Sequence, residues 1–303
     1  MSGPAAGLVV AAFGRHYTVE LPDGTTRQCY PRGKKGAAAV GDIVNISLQG
    51  VSEGAIESIA PRRNLLFRSD QQRSKQFAAN VDQLFIVVAT EPEFSDDLIG
   101  RSLTGAWSAG IPSVILLNKI DRTALLERAR HRLATVASLG VPVIELTAHD
   151  AEATRARLAP VLAGKTSLLF GQSGMGKSTL LNVLVPGADA ATREHSEALG
   201  TGRHTTTSTR LYHLPVSSSG TAPGHLIDSP GFQGFGLQHL SREDVERGFP
   251  EFAEHASHCR FYNCTHRHEP GCAVLQAVGD TIMPERHALY VRIVNENEAG
   301  ERY

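Results

Sequence analysis

The clearest chemistry in the chain lies in Gly171-Gln172-Ser173-Gly174-Met175-Gly176-Lys177-Ser178-Thr179. Its spacing fits G-x-x-x-x-G-K-[ST], the loop that wraps the phosphates of a nucleoside triphosphate. Glycines permit torsions and close approaches that a Cβ blocks. Backbone N–H groups then face the anion at the positive end of the following helix. Lys177 supplies a compact charge for the β- and γ-phosphates, and the Ser178 hydroxyl suits Mg²⁺. The loop alone does not choose the nucleotide.

A second group narrows that choice. Asn118-Lys119-Ile120-Asp121 is an N-x-x-D arrangement that suits guanine. The Asp121 carboxylate can accept from N1–H and the 2-amino group, whereas adenine presents an unprotonated N1. A site built on such hydrogen bonds rejects the wrong partner by ~10⁴–10⁵. Asn118 can bridge base and loops, and the Lys119 stem can cover the base face. Thr147-Ala148 adds support, with the Ala148 N–H placed to meet the guanine carbonyl. Further along, Thr206 or a neighbour in Gly202-Arg203-His204-Thr205-Thr206-Thr207 offers a hydroxyl to Mg²⁺. Asp228-Ser229-Pro230-Gly231 offers a carboxylate for the Mg²⁺ shell and a Gly231 N–H for the γ-phosphate.

The elements that must position these groups are readable nearby. Val81–Ala89 and Ser113–Leu117 are near-continuous apolar runs, the mark of parallel strands covered on both faces. Helical patterns follow at about 96–109, 123–139 and 151–162, with a third strand at 141–146. Thr166–Phe170, the glycine loop and Ser178–Leu184 form the strand–loop–helix unit that the phosphate motif requires. Arg210–Leu214 and Gly224–Ile227 read as two more strands. Ligands gather at the carboxyl ends of such sheets, where Asn118 and Asp228 sit.

Upstream, 1–70 holds five short strands punctuated by Pro22-Asp23-Gly24 and a glycine-rich stretch. That count suits a small Greek-key barrel of the OB type. Tyr30, Arg32, Lys34 and Lys35 read equally well as an RNA-contacting loop or a solvated basic one. Residues 62–80 are polar and poorly periodic, and read as a linker.

Composition bounds the rest. A chain of 303 residues with 41% hydrophobic and 20% charged residues suits about two globular domains. No apolar run approaches the ~20 residues of a membrane span. Three of four cysteines crowd between Cys259 and Cys272, which is not a disulfide framework. The cytoplasm is the expected compartment and a monomer the expected state. Net charge is −1, but residues 1–75 carry +4 and 246–303 carry −3. The crowded cysteines with nearby histidines suit a closed Cys₃His tetrahedron, the structural kind of zinc site, against the alternative of reduced thiols without metal.

In an ordinary GTPase the phosphate loop comes first and the guanine motif late. Here the guanine motif comes first, so the domain reads as circularly permuted, a change tolerated when the original termini lie close together. That order, with G-x-S-G-x-G-K-S-T, G-R-H-T-T-T, D-S-P-G, the barrel and the cysteine cluster, resembles the small-subunit-dependent GTPase family RsgA (YjeQ/YloQ). The likeness covers nearly the whole chain. It implies GTP hydrolysis to GDP stimulated by the small ribosomal subunit and its rRNA, in late maturation of that subunit. The spacing C-x₄-C-x-H-x₅-C also matches the family, which makes the zinc ligands Cys259, Cys264, His266 and Cys272, with His266 ahead of His268 or His258.

The fold class expected is therefore multidomain α/β. An OB-fold barrel occupies 1–70, a permuted P-loop GTPase domain 71–245 and a helical zinc-binding domain 246–303. Phe232 stands where Ras-like enzymes carry the glutamine that orients water. His204 is the candidate replacement, against the reading of a solvent-facing loop histidine. The alternatives are a nucleotide-gated RNA-binding protein with little hydrolysis, a P-loop ATPase or kinase, and a permuted GTPase of the large subunit.

Overall fold

Alternating apolar residues close the first 60 residues into a barrel. The computed structural model describes residues 5–32, 37–69, 74–188, 208–215, 222–228 and 234–300. Strands β1 (Ala5–Phe13), β2 (His16–Glu20), β3 (Thr26–Pro31), β4 (Ile43–Gln49) and β5 (Glu53–Ile59) pair in the order β1-β2-β3-β5-β4. β4 then returns to β1, so no edge is left open. The β3–β5 contact is parallel and the others antiparallel. Inward positions carry Val9, Tyr17, Val19, Cys29, Val44, Ile46 and Ile56, which form a core of their own.

The predicted linker is instead a hairpin, β6 (Leu65–Ser69) with β7 (Ser74–Ala79). The apolar ends of this polar stretch make it fold, because Leu66, Phe77 and Ala78 are buried. Main-chain bonds join it to the barrel, Val40 donating to the Phe77 carbonyl at 3.2 Å and Ala79 to the Val40 carbonyl at 2.8 Å. Arg62 completes the joint. Its guanidinium grips both oxygens of fully buried Asp42 at 2.7 Å and reaches Gln76 at 3.3 Å. Ala39 donates its N–H to the same carboxylate at 2.7 Å. The predicted boundary at residue 70 thus falls between two paired strands.

Beyond the hairpin lie β8 (Gln83–Ala89), α1 (Asp96–Ser108), β9 (Ser113–Asn118), α2 (Thr123–Ser138), β10 (Val143–Glu145) and α3 (Ala151–Leu162). Then follow β11 (Thr166–Phe170), α4 (Lys177–Leu184), β12 (Thr209–His213) and β13 (His225–Asp228). Their sheet order is β10-β9-β8-β11-β13-β12, parallel except for β12. β8 and β9 are buried at every position, as their unbroken apolar runs require. β12 would be an exposed edge, but β1 pairs with it through Ala11 to Arg210 and Ala12 to Thr209. One continuous sheet therefore runs from the nucleotide-type domain into the barrel.

The C-terminal part holds α5 (Arg242–Arg247), α6 (Ala253–Ala256), α7 (Ala273–Ala277) and α8 (Pro284–Gly300). α8 seats on α1. A Cβ on Gly100 would lie 2.4 Å from the Leu289 Cδ2, so a larger residue there would make Leu289 shift. Arg101 forks onto Glu296 at 2.8 and 2.7 Å, and Arg292 pairs with Asp97. The polar tail of α8 finds partners: Asn297 donates to the Leu237 and Leu240 carbonyls at 2.8 and 3.0 Å. No helix among the described residues is long and apolar enough to cross a membrane.

Replacing Arg62 with Met leaves Asp42 buried and unpaired, a loss of about 3–5 kcal/mol in stability. Urea unfolding checks this; a midpoint within error of wild type would refute the role given to the joint.

Candidate nucleotide site and candidate metal centre

The glycine loop joins the carboxyl end of β11 to α4, as the motif demands. Gly176 caps α4 in the left-handed region, with φ 90° and ψ 20°. An added Cβ there would lie 2.2 Å from the Asn118 Nδ2. Conformation and space both select glycine.

That contact shows how the two motifs meet. Asn118, 2% exposed at the end of β9, donates from Nδ2 to the Met175 carbonyl at 2.9 Å. Its Oδ1 accepts from the Lys119 N–H at 2.8 Å and the Ala148 N–H at 2.9 Å. One buried amide thus fastens the phosphate loop, the guanine motif and the Thr147-Ala148 turn to each other. The Ala148 N–H, expected to meet a base carbonyl, is engaged by Asn118 in this structure. Lys119 takes a left-handed φ of 61°, rare for a side chain of its size. Thr90 holds it there by donating its hydroxyl to the Lys119 carbonyl at 2.9 Å.

Asp121 is about half exposed; its carboxylate accepts weakly from the Thr147 hydroxyl at 3.3 Å and lies 3.9 Å from the Arg122 guanidinium. Ile120 is partly buried beside it. On the phosphate side, Ser173 and Ser178 are exposed and Thr179 partly so. Lys177 is half-buried, and burial pushes its ammonium below the usual lysine range, with the Asp228 carboxylate opposing that shift. Asp228 ends β13 beside Leu169 of β11, the strand that feeds the loop. A hydroxyl and a carboxylate at the head of this loop are oxygen donors of the kind Mg²⁺ takes. His204, Thr206, Gly231 and Phe232 lie outside the described residues.

Two contacts lie outside the motif reading. Gln172 sits at a variable position of the loop pattern, yet its Oε1 accepts from the Ser95 N–H at 2.8 Å. Ser95 in turn caps α1, its hydroxyl accepting from Leu98 at 3.2 Å. Pro92 abuts Gly174, whose added Cβ would lie 3.1 Å away. Ser95-Asp96-Asp97 is an ordinary helix start, and nothing in the sequence ties it to a loop 77 residues later.

The second centre brings Cys259, Cys264, His266 and Cys272 together, every ligand atom within 4.8 Å of the others. Cys259 Sγ lies 3.8 Å from Cys272 Sγ, and His266 Nδ1 lies 3.6 and 3.4 Å from those two sulfurs. A tetrahedron with Zn–S near ~2.3 Å and Zn–N near ~2.0 Å has edges of roughly 3.5–3.8 Å, so the cage fits zinc. Burial, with neighbouring Cys272 and Cys259, pushes the Cys264 thiol up to about 12, so a cation is what would let these sulfurs ionise together. Burial alone would depress the His266 imidazole, but Glu246 and Cys272 outweigh it and carry it up to about 9. Glu246 lies 3.5 Å from Nε2, the ring nitrogen turned away from the sulfurs, an arrangement that orients a metal-binding imidazole. His268 and His258 stay exposed and outside this group.

Comparison with known proteins agrees with this geometry. A family model described as RsgA GTPase matches residues 59–238. The chain is 67% identical over 303 residues to a Bordetella pertussis protein named small ribosomal subunit biogenesis GTPase RsgA, covering 100% of this chain and 99% of that one. A Ralstonia pickettii protein of the same name is 56% identical over 294 residues, covering 96% and 93%. Among solved structures, YjeQ from Thermotoga maritima superposes with a TM-score of 0.71 at 29% identity, covering 98% and 99%. YloQ, described as a circularly permuted GTPase, gives 0.68 at 28%, covering 98% and 96%.

Gly176→Ala forces Asn118 out of its buried position, so affinity for a fluorescent guanine nucleotide is expected to fall at least about tenfold, matching the ~1–3 kcal/mol of an unsatisfied buried group. Unchanged affinity in a direct titration would contradict the proposed coupling of the two motifs.

Proposed function

The chain belongs to the RsgA GTPase family, and from that premise we propose a GTPase that acts in small ribosomal subunit biogenesis. The observation that carries this reading is the Asn118 junction. It ties a guanine-selective motif to a phosphate loop that follows it in the chain, the permuted order also described for YloQ.

Within this reading the residues divide the work. Asp121 reads the guanine edge, while Lys119 and Ile120 shape its pocket and Ala148 steadies Asn118. Gly171, Gln172, Ser173, Gly174, Met175 and Gly176 present main-chain donors to the phosphates, and Thr179 continues that wall. Lys177, already short of solvent, concentrates its charge on the β- and γ-phosphates. Ser178, Asp228 and, by sequence, Thr206 would hold Mg²⁺, with Gly231 sensing the γ-phosphate. When bound, the ion neutralises charge that builds on the bridging oxygens. Phe232 has no group to orient water, so that task is assigned to His204 on sequence grounds. The barrel contacts rRNA, and the Cys259, Cys264, His266 and Cys272 centre is a structural zinc site without an open position. The working unit is a cytoplasmic monomer, with the small subunit and GTP or GDP as its partners.

Phosphate release measured with small subunits, large subunits and neither tests the assignment. Strong stimulation by small subunits alone is expected, and His204→Ala should remove most of it while nucleotide affinity stays intact. Equal rates in all three conditions would point to a nucleotide-gated RNA-binding protein instead.

Elemental analysis should find one zinc per chain, lost in Cys264→Ser. Because metal binding is worth ~10–16 kcal/mol in zinc-finger peptides, chelation should unfold the C-terminal part first. Full stability without metal would sink the zinc assignment.

A further inference from the structure

The loop between the first two thiols of the metal centre, Cys259 and Cys264, presents an unusual surface. Phe261 is 42% exposed and Tyr262 is fully exposed. Among the described residues they are the only adjacent pair of large exposed hydrophobics. Neither ring contributes to the core, so packing does not account for them.

The tip is nonetheless held in place. Arg260 donates its N–H to the Gly271 carbonyl at 3.0 Å, and Cys264 donates to the Phe261 carbonyl at 3.2 Å. Below it, Arg242 reaches the Cys264 carbonyl at 2.8 Å and Tyr290 the Thr265 carbonyl at 3.1 Å. The Glu269 carboxylate accepts from the N–H groups of Thr265, Arg267 and His268 at 2.8, 3.2 and 3.2 Å. A loop mounted on such a frame loses little backbone freedom when a partner arrives.

Charge indicates the partner. The region 246–303 carries −3, yet His255 to His268 contains no acid, two arginines and four histidines. Glu269, the next acid, is turned into the loop. The Arg260 guanidinium lies 5.4 Å over the Phe261 ring, and no ion pair engages it among the described residues. Exposed aromatic faces beside an uncompensated arginine suit unpaired nucleotides, whose bases stack while the phosphates seek cations.

Resting on the small-subunit reading above, we propose that Arg260–Asn263 docks on unpaired bases of small-subunit rRNA. Phe261 and Tyr262 stack on those bases, and Arg260 neutralises a neighbouring phosphate.

Base-specific chemical probing of the small subunit, with and without the intact protein, tests this. Wild type is expected to protect a short unpaired run. The Phe261→Ala, Tyr262→Ala double variant should lose that protection and bind at least about fivefold more weakly for each ring, the low end of stacking on aromatic side chains. Tyr262→Phe should retain both. Zinc content and thermal midpoint should match wild type, because both rings are exposed. Arg260→Ala should weaken binding and reduce its salt dependence. Protection that persists in the double variant would overturn the proposal. So would weakened binding accompanied by a crosslink from position 262 to a ribosomal protein. A wild-type protein that fails to bind small subunits would overturn the functional reading itself, and that appears before any variant is made.

Discussion

Everything at the nucleotide site depends on one buried amide. Asn118 has its Nδ2 and both lone pairs of Oδ1 engaged, by Met175, Lys119 and Ala148. A polar group held by three hydrogen bonds in a dry setting is strongly directional, since any displacement leaves partners unpaired. The phosphate loop, the guanine motif and the turn after β10 therefore move as one piece. Circular permutation leaves this junction untouched, because it changes the order of strands along the chain and not their neighbours in the sheet.

From this junction α1 carries the architecture outward. Its start is linked to the phosphate loop through Ser95 and Gln172. Its outer face takes α8 against Gly100, with ion pairs from Arg101 to Glu296 and from Asp97 to Arg292. Buried Arg286, paired with Glu251 at 2.7 Å within the C-terminal part, lies 5.6 Å over the Trp107 ring of α1. The metal-bearing segment is thus anchored to the nucleotide domain by close packing as well as by the chain. On the other side the barrel joins through β1 and β12. There His213 lies 3.0 Å from His225 and 2.9 Å from Glu20 of the barrel. Burial, reinforced by neighbouring His213, depresses the His225 imidazole, so this seam holds its inner histidine neutral.

The chemistry was legible because it is local. Gly171–Thr179, Asn118–Asp121 and Cys259–Cys272 each carry their function within one loop, where spacing alone restricts what the residues do. The buried strands β8 and β9 were equally plain, since a run of apolar residues has few other uses. Legibility failed where a polar residue serves a distant partner. Residues 62–80 looked like a linker because Arg62 and Gln76 are ordinary surface residues until Asp42 is placed between them. The tail of α8 is illegible for the same reason, as Asn297 and Glu296 find partners on other elements.

By itself, then, the sequence determined the reaction class, the order of the motifs, the kind of metal centre and the types of unit along the chain. Short-range spacing and side-chain periodicity are enough for those. Only the tertiary structure decided that Asn118 reaches Met175, 57 residues later, that the barrel continues the sheet through β12, and that Phe261 and Tyr262 stand exposed beside the metal centre. Such pairings are selected by burial and by the need to satisfy every buried polar group. Those conditions exist only once the chain has folded.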